Sequence, residues 1–121
     1  IQKHASADAC PVLGHLPERF WAQQGHKDHM EVIPEEAVLL AGSERSPIQA
    51  WAMKGAPVYA LQFHAELDET GIHERLDYYQ ALYASGAGEL EAIRKIVRPS
   101  PEAPTALHAF MERVVKNGER Y

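Results

Sequence analysis

The chain has 121 residues, of which 45% are hydrophobic and 24% charged, and its formal net charge is −5. That composition suits one globular domain or a piece of a larger one, and it is not that of a disordered segment. The acidic balance, with no Lys/Arg stripe, argues against a nucleic-acid partner, and no apolar stretch approaches the roughly 18 residues of a membrane span. Cys10 is the single cysteine. It rules out an internal disulfide and accords with a reducing cytoplasm. No signal peptide opens the chain, which starts at Ile1 instead of Met, and we therefore expect an excised or processed segment.

Residues 1–18 are polar and broken by Pro11, Gly14 and Pro17, which predicts mostly connection. Arg19-Phe20-Trp21-Ala22-Gln23 is a short candidate strand ended by Gly25. Ala37 to Ser43 is an apolar run of strand length, and Ile48 to Met53 and Pro57 to Phe63 alternate in character. Lys54-Gly55-Ala56 between the last two reads as a hairpin turn. Trp21 and Trp51 are expected in the core, and Glu31, Glu35 and Glu36 in a solvated turn.

The final third changes period. Ile72, Leu76, Tyr79 and Tyr83 fall at helical spacing, and Gly86 and Gly88 interrupt that helix. Leu90, Ile93, Ile96 and Val97 predict a second helix stopped by Pro99. A third is predicted with Ser100 as cap, Pro101 in its first turn and Gly118 beyond its end. Its apolar stripe is Leu107, Phe110, Met111, Val114 and Val115, which must cover a neighbouring surface.

The sharpest chemical feature is Gln62-Phe63-His64-Ala65-Glu66 at the end of the last strand. Extended backbone places residues two apart on the same side, so His64 and Glu66 can meet. A carboxylate there fixes the imidazole tautomer and stabilises its protonated form. That is the base-and-orienter pair that nucleophilic catalysis requires. A bare H-x-E is a common pattern, and by itself it more often marks a surface histidine beside a surface acid.

Its surroundings say more. Tyr59 to Glu66 resembles the block around the catalytic His and Glu of class I glutamine amidotransferases, where an aliphatic strand ends in Gln-Phe-His-Pro-Glu. Upstream, Gly25-His26-Lys27-Asp28-His29-Met30 and Val32-Ile33-Pro34 resemble the family's Ser-His-x-Asp-x-Val and Leu-Pro segment. Ala37 to Ser43 and Ile48-Gln49-Ala50-Trp51 follow in the family's order. The likeness covers about half the chain, and the helical tail resembles the GMP-synthase-like branch. It implies an α/β fold, the C-terminal part of a flavodoxin-like three-layer domain, with residues 1–121 lacking the half that bears the nucleophile. It also implies glutamine amide hydrolysis in the parent. His64 would be general base and acid, Glu66 its orienter, and Gly25 and His26 would line the glutamine pocket. A synthetase domain or subunit is the implied partner, and no cofactor is implied. Two departures stand out. Ala65 replaces the usual proline, and Gly25 stands where many relatives have serine, leaving only backbone for substrate contact there.

The family's nucleophile is a cysteine on a glycine-flanked elbow, a turn too tight for larger side chains. Cys10 precedes Pro11, has no adjacent glycine and lies too close to the His-Glu block, so it reads as a small, half-buried residue. The chain alone is therefore expected to be inactive. Two other readings share these residues: a hydrolase of other γ-glutamyl amides, and a degenerate binding or regulatory module. His26 and His29 with His64 and Glu66 could supply four metal ligands, but their loop spacing supports no such site, and no metal is expected. His4, His15, His73 and His108 are expected to face solvent.

Overall fold

The computed structural model describes residues 1–24, 28–82, 95 and 97–121, the side chains of 79–82 excepted. Four strands pair in chain order as an antiparallel meander: β1 (Gln2–Lys3), β2 (Ala37–Gly42), β3 (Ala50–Met53) and β4 (Val58–Leu61). The β3–β4 turn is the one expected from Lys54-Gly55-Ala56, and Gly55 adopts φ +77, a conformation that L side chains rarely take. Between β2 and β3 the register steps from Leu39↔Trp51 to Ala41↔Ala50, so Leu40 is an extra residue on β2. The bulge turns Leu40 wholly into the core. Strands with helices accord with the expected α/β class, and every strand pair among the described residues is antiparallel.

The N-terminal segment is the largest departure from the sequence reading. It is not connection but core. Ala7, Cys10, Val12, Leu13 and Leu16 are buried in one cluster with Leu40, Ala50, Ala52 and Phe63. A 3₁₀ turn at Ala5–Ala7 and successive backbone bonds fold it: Cys10 N–H to Ala7 O, Gly14 N–H to Cys10 O, Leu16 N–H to Leu13 O. A chain that turns this often buries residues at no fixed period, which is why periodicity missed it. A Cβ on Gly14 would fall 2.5 Å from Asp8 O and 2.6 Å from Cys10 O, so the coil closes only around glycine. Lys3 Nζ reaches into it, donating to Gly14 O at 3.0 Å and pairing with Asp8 at 3.0 Å.

Arg19 to Gln23 forms no strand. Only isolated bridges, Gln2↔Arg19 and Gln23↔His64, occur there, and Trp21 is 63% exposed instead of core. In its place Phe20 is buried, edge-on to Phe63 at 5.7 Å. Trp51 is half-buried, and Cys10, expected half-buried, is fully so. The first expected helix is present as α1 (Glu69–Leu82), with Ile72 and Leu76 buried; Tyr83, Gly86 and Gly88 lie outside the described residues. The second expected helix, on Leu90, Ile93 and Ile96, also lies outside them, and Val97 carries no regular structure.

The last helix, α2 (Thr105–Ala109), runs on as a wider π-type segment, Phe110–Lys116. It starts later than expected, because Ser100 is buried and serves as a hydrogen-bond acceptor elsewhere instead of capping it. Its end follows the sequence. Gly118 at φ +68 sends its N–H to Val114 O, a left-handed glycine closure, and Glu119 N–H goes to Arg113 O. Arg113 then grips both Glu119 oxygens at 3.0 and 2.8 Å and donates to Pro11 O, binding the helix to the N-terminal coil. The expected stripe splits in two. Val114 is buried and Phe110 stands edge-on to Tyr59 at 5.9 Å, whereas Leu107, Met111 and Val115 are 41%, 50% and 55% exposed. Val114→Ala should therefore cost about 1–3 kcal/mol in urea unfolding, and Met111→Ala less than about 0.5. Equal losses would contradict this division of the helix.

Candidate active site

The β3–β4 ladder ends at Ala50↔Leu61, and one more bond, Gln62 N–H to Gln49 O at 2.8 Å, follows it before the chain bends at Gln62 and Phe63 and turns at Ala65 and Glu66. Beyond it the alternation persists. Phe63 and Ala65 are buried, and between and after them His64 and Glu66 turn outward. Two buried side chains thus hold the backbone from beneath while two polar ones share the open side. His64 N–H is tied separately, to Gln23 O at 2.8 Å.

On that open side His64 Nδ1 and Glu66 Oε1 are 2.6 Å apart, with the imidazole about one quarter exposed and the carboxylate about one half. An ionised carboxylate only accepts, so Nδ1 carries the proton. In the neutral ring Nε2 then has the lone pair, and it is the nitrogen available to exchange a proton with a bound group. Ala65, in place of the family's proline, packs into the core cluster, so burial supplies the restraint that a ring would otherwise give. Of the four residues singled out from the sequence, the structure brings His64 and Glu66 into contact. Gly25 and His26 lie outside the described residues. Among the described residues no group of three or more His, Cys, Asp or Glu side chains could hold a metal ion, and no helix is long and apolar enough to cross a membrane.

Sequence reasoning missed Gln23. It is 5% exposed, and its Nε2 donates to Arg98 O at 2.7 Å and to Ser100 Oγ at 3.0 Å. A lone glutamine in an expected strand offers no periodic or motif signal. Of the histidines expected to face solvent, His4, His15 and His108 are exposed and His73 is half-buried. His15 Nε2 still meets Thr105 Oγ1 at 2.8 Å. Since Thr105 Oγ1 donates to Glu102 O, that hydroxyl accepts from the ring. Cys10 is buried in the core cluster with Ala7, Val12 and Leu13.

Curated relatives of this chain are glutamine-hydrolysing GMP synthases, and they bear out the resemblance to a GMP-synthase-like glutamine amidotransferase domain. The chain is 41% identical over 59 residues to a glutamine-hydrolysing GMP synthase subunit of Thermoplasma volcanium, covering 49% of this chain and 29% of that protein. It is 33% identical over 83 residues to the corresponding subunit of Thermococcus kodakarensis, covering 69% of this chain and 43% of that one. The corresponding Methanopyrus kandleri subunit is 36% identical over 55 residues, 46% of this chain and 29% of that one. The chain thus spans less than half the length of each of these relatives. No family model matches it, and no solved structure does.

Burial pushes the Glu66 carboxyl up, but its backbone hydrogen bond, the His64 hydrogen bond and charge, and the Arg75 charge outweigh this and hold it below its ordinary 4.5. A depressed carboxyl stabilises the fold above its unfolded pKa, and that contribution is lost as the pH falls through the lower, folded value. The half-exposed side chain limits the effect to less than about 1 kcal/mol. Urea unfolding of wild type and Glu66→Gln should therefore differ most at neutral pH and converge as the pH falls through the lowered carboxyl pKa of the folded state. A gap that widens on acidification would contradict the assigned direction.

Proposed function

We propose that this chain supplies the proton-transfer half of a glutaminase site in a class I glutamine amidotransferase. The single observation that carries this is the 2.6 Å His64–Glu66 contact, which orients the ring by Nδ1 and leaves Nε2 out of that contact, in a chain whose sequence matches glutamine-hydrolysing relatives. In this reading a cysteine thiolate attacks the side-chain amide carbon of glutamine. His64, protonated, gives its Nε2 proton to the departing ammonia as the thioester forms. It then takes a proton from the water that hydrolyses the thioester. Glu66 keeps the ring in one tautomer and balances its charge in each protonated interval.

The thiolate comes from outside these residues. Cys10 is 1% exposed and shut within the core, where no substrate reaches it. Residues 1–121 are then the C-terminal portion of a flavodoxin-like three-layer domain. The exposed row Leu107, Met111 and Val115, and the neighbouring apolar groove lined by Val12, Pro57, Val58, Tyr59, Leu61 and Phe110, support that reading. An uncovered apolar face of this kind is what the removal of a packed neighbour leaves. Gly25 and His26 line the glutamine pocket, Gly25 through its backbone. The setting is cytoplasmic, and the ammonia passes to a synthetase domain or a separate synthetase chain, a reading supported by relatives that are themselves named as subunits of a synthase.

In the protein that joins this segment to its nucleophile, His64→Ala should nearly abolish ammonia release from glutamine. Glu66→Gln should lower it by roughly tenfold to ten-thousandfold, and Cys10→Ala should leave it intact. Hydrolysis within about twofold of wild type in His64→Ala, a barrier change below ~0.5 kcal/mol, would sink the reading. The chain by itself should release no ammonia above background. Activity of the isolated chain that disappears in Cys10→Ala would place the nucleophile at Cys10 instead.

A further inference from the structure

The main chain of His64 is held outside the sheet. The last ladder bond falls at Gln62, and His64 N–H turns instead to Gln23 O, an isolated antiparallel bridge. Residue 23 belongs to no strand, so no neighbouring ladder bond fixes that carbonyl. Its side chain does. A glutamine carboxamide has two N–H donors on one planar nitrogen, and here they go to Arg98 O at 2.7 Å and Ser100 Oγ at 3.0 Å. Both Gln23 and Ser100 are nearly wholly buried, so these bonds have little competition from water. A short segment ahead of α2 thereby fastens residue 23, and residue 23 fastens the histidine.

No other side chain of this size would serve in the same way. Glutamate would set a carboxylate against the Arg98 carbonyl, and leucine would remove both bonds and take this donor from the buried Ser100 hydroxyl. Gln23 does not touch the imidazole; it acts through one peptide unit on the Cα that carries it. We infer that Gln23 is a positioning residue, which sets the His64 ring so that Nδ1 meets Glu66 while Nε2 faces the reacting amide. The catalytic part of this inference rests on the function proposed above; the ring placement does not. A displacement well under an ångström at such a centre lowers the rate without weakening the ground-state complex.

Two readouts test it, on Gln23→Leu, Ser100→Ala and the control Val114→Ala, a buried residue of the last helix that takes no part in the Gln23 hydrogen bonds. In the chain itself, long-range ¹H–¹⁵N spectra of the His64 ring should show a single Nδ1–H tautomer in wild type and Val114→Ala. A mixture is expected in Gln23→Leu, and a partial one in Ser100→Ala. In the protein that carries the nucleophile, Gln23→Leu should lower kcat by about tenfold to a hundredfold with KM within about threefold. Ser100→Ala should do less in the same direction, and Val114→Ala should leave kcat intact. If Gln23→Leu matches Val114→Ala in ring spectrum and kcat at equal loss of thermal stability, or raises KM alone, the inference is overturned. Should Gln23→Leu not fold, Ser100→Ala decides on the same criteria. If His64→Ala retains hydrolysis, the proposed function fails, and the ring spectra still decide whether Gln23 places the imidazole.

Discussion

One short stretch of backbone, the bends and the turn that carry the chain from Leu61 to Glu66, governs how the His64–Glu66 pair is placed. Burial alternates along it: Phe63 and Ala65 are in the core, and His64 and Glu66 stand outside in contact with each other. The rest of the molecule can be understood as making that condition firm. Phe20 meets Phe63 edge-on, the N-terminal coil fills the space below, and Gln23 stops the histidine's N–H from drifting once the ladder has ended. Exchanging the buried and the open residues of this stretch would bury two polar groups and expose two apolar ones, a penalty that holds the chain to its path.

Where the chain is regular, its sequence was readable. The alternation in Ile48–Met53 and Pro57–Phe63, with Gly55 between them, marked a hairpin that the structure contains; the His64–Glu66 contact expected from the same period is made too, but across a turn instead of along extended backbone. Gly118 announced the end of the last helix. Where the chain is irregular, reading failed for physical reasons. The coil from Ala7 to Leu16 buries its apolar groups at turns, so no period survives to be seen. Phe20 and Trp21 are adjacent and opposite in fate, a distinction set by Phe63 across the core and not by local pattern. Ser100 has the chemistry of a helix cap, but a buried glutamine far away in sequence claims it first. The stripe on the last helix predicted a covered face, yet Tyr59 and the coil cover only half of its width.

That half-covered helix and the His64–Glu66 pair describe one situation from two sides. On the function proposed, the chemistry here is the part that moves protons, and the nucleophile lies outside these residues. The surface present includes an apolar row that no described residue covers. Both accord with a chain spanning less than half of the proteins it resembles. On the function proposed, the acid–base machinery is whole within these residues, because its supports (Phe63, Ala65, Gln23 and Ser100) all belong to the same segment as the pair they hold.

The burial of Cys10 gives the fold an internal clock. Its sulfur is shut beneath the N-terminal coil, and that coil is bolted down by Arg113 through Pro11 and by Lys3 through Gly14. A thiol reagent added to the native protein can react there only during the intervals when those bolts open. With one cysteine in these 121 residues, the slow labelling of this segment is a single, site-resolved count of opening events. The rate of that chemistry would therefore measure how often the floor beneath the histidine comes apart, under conditions far too mild to unfold the whole population.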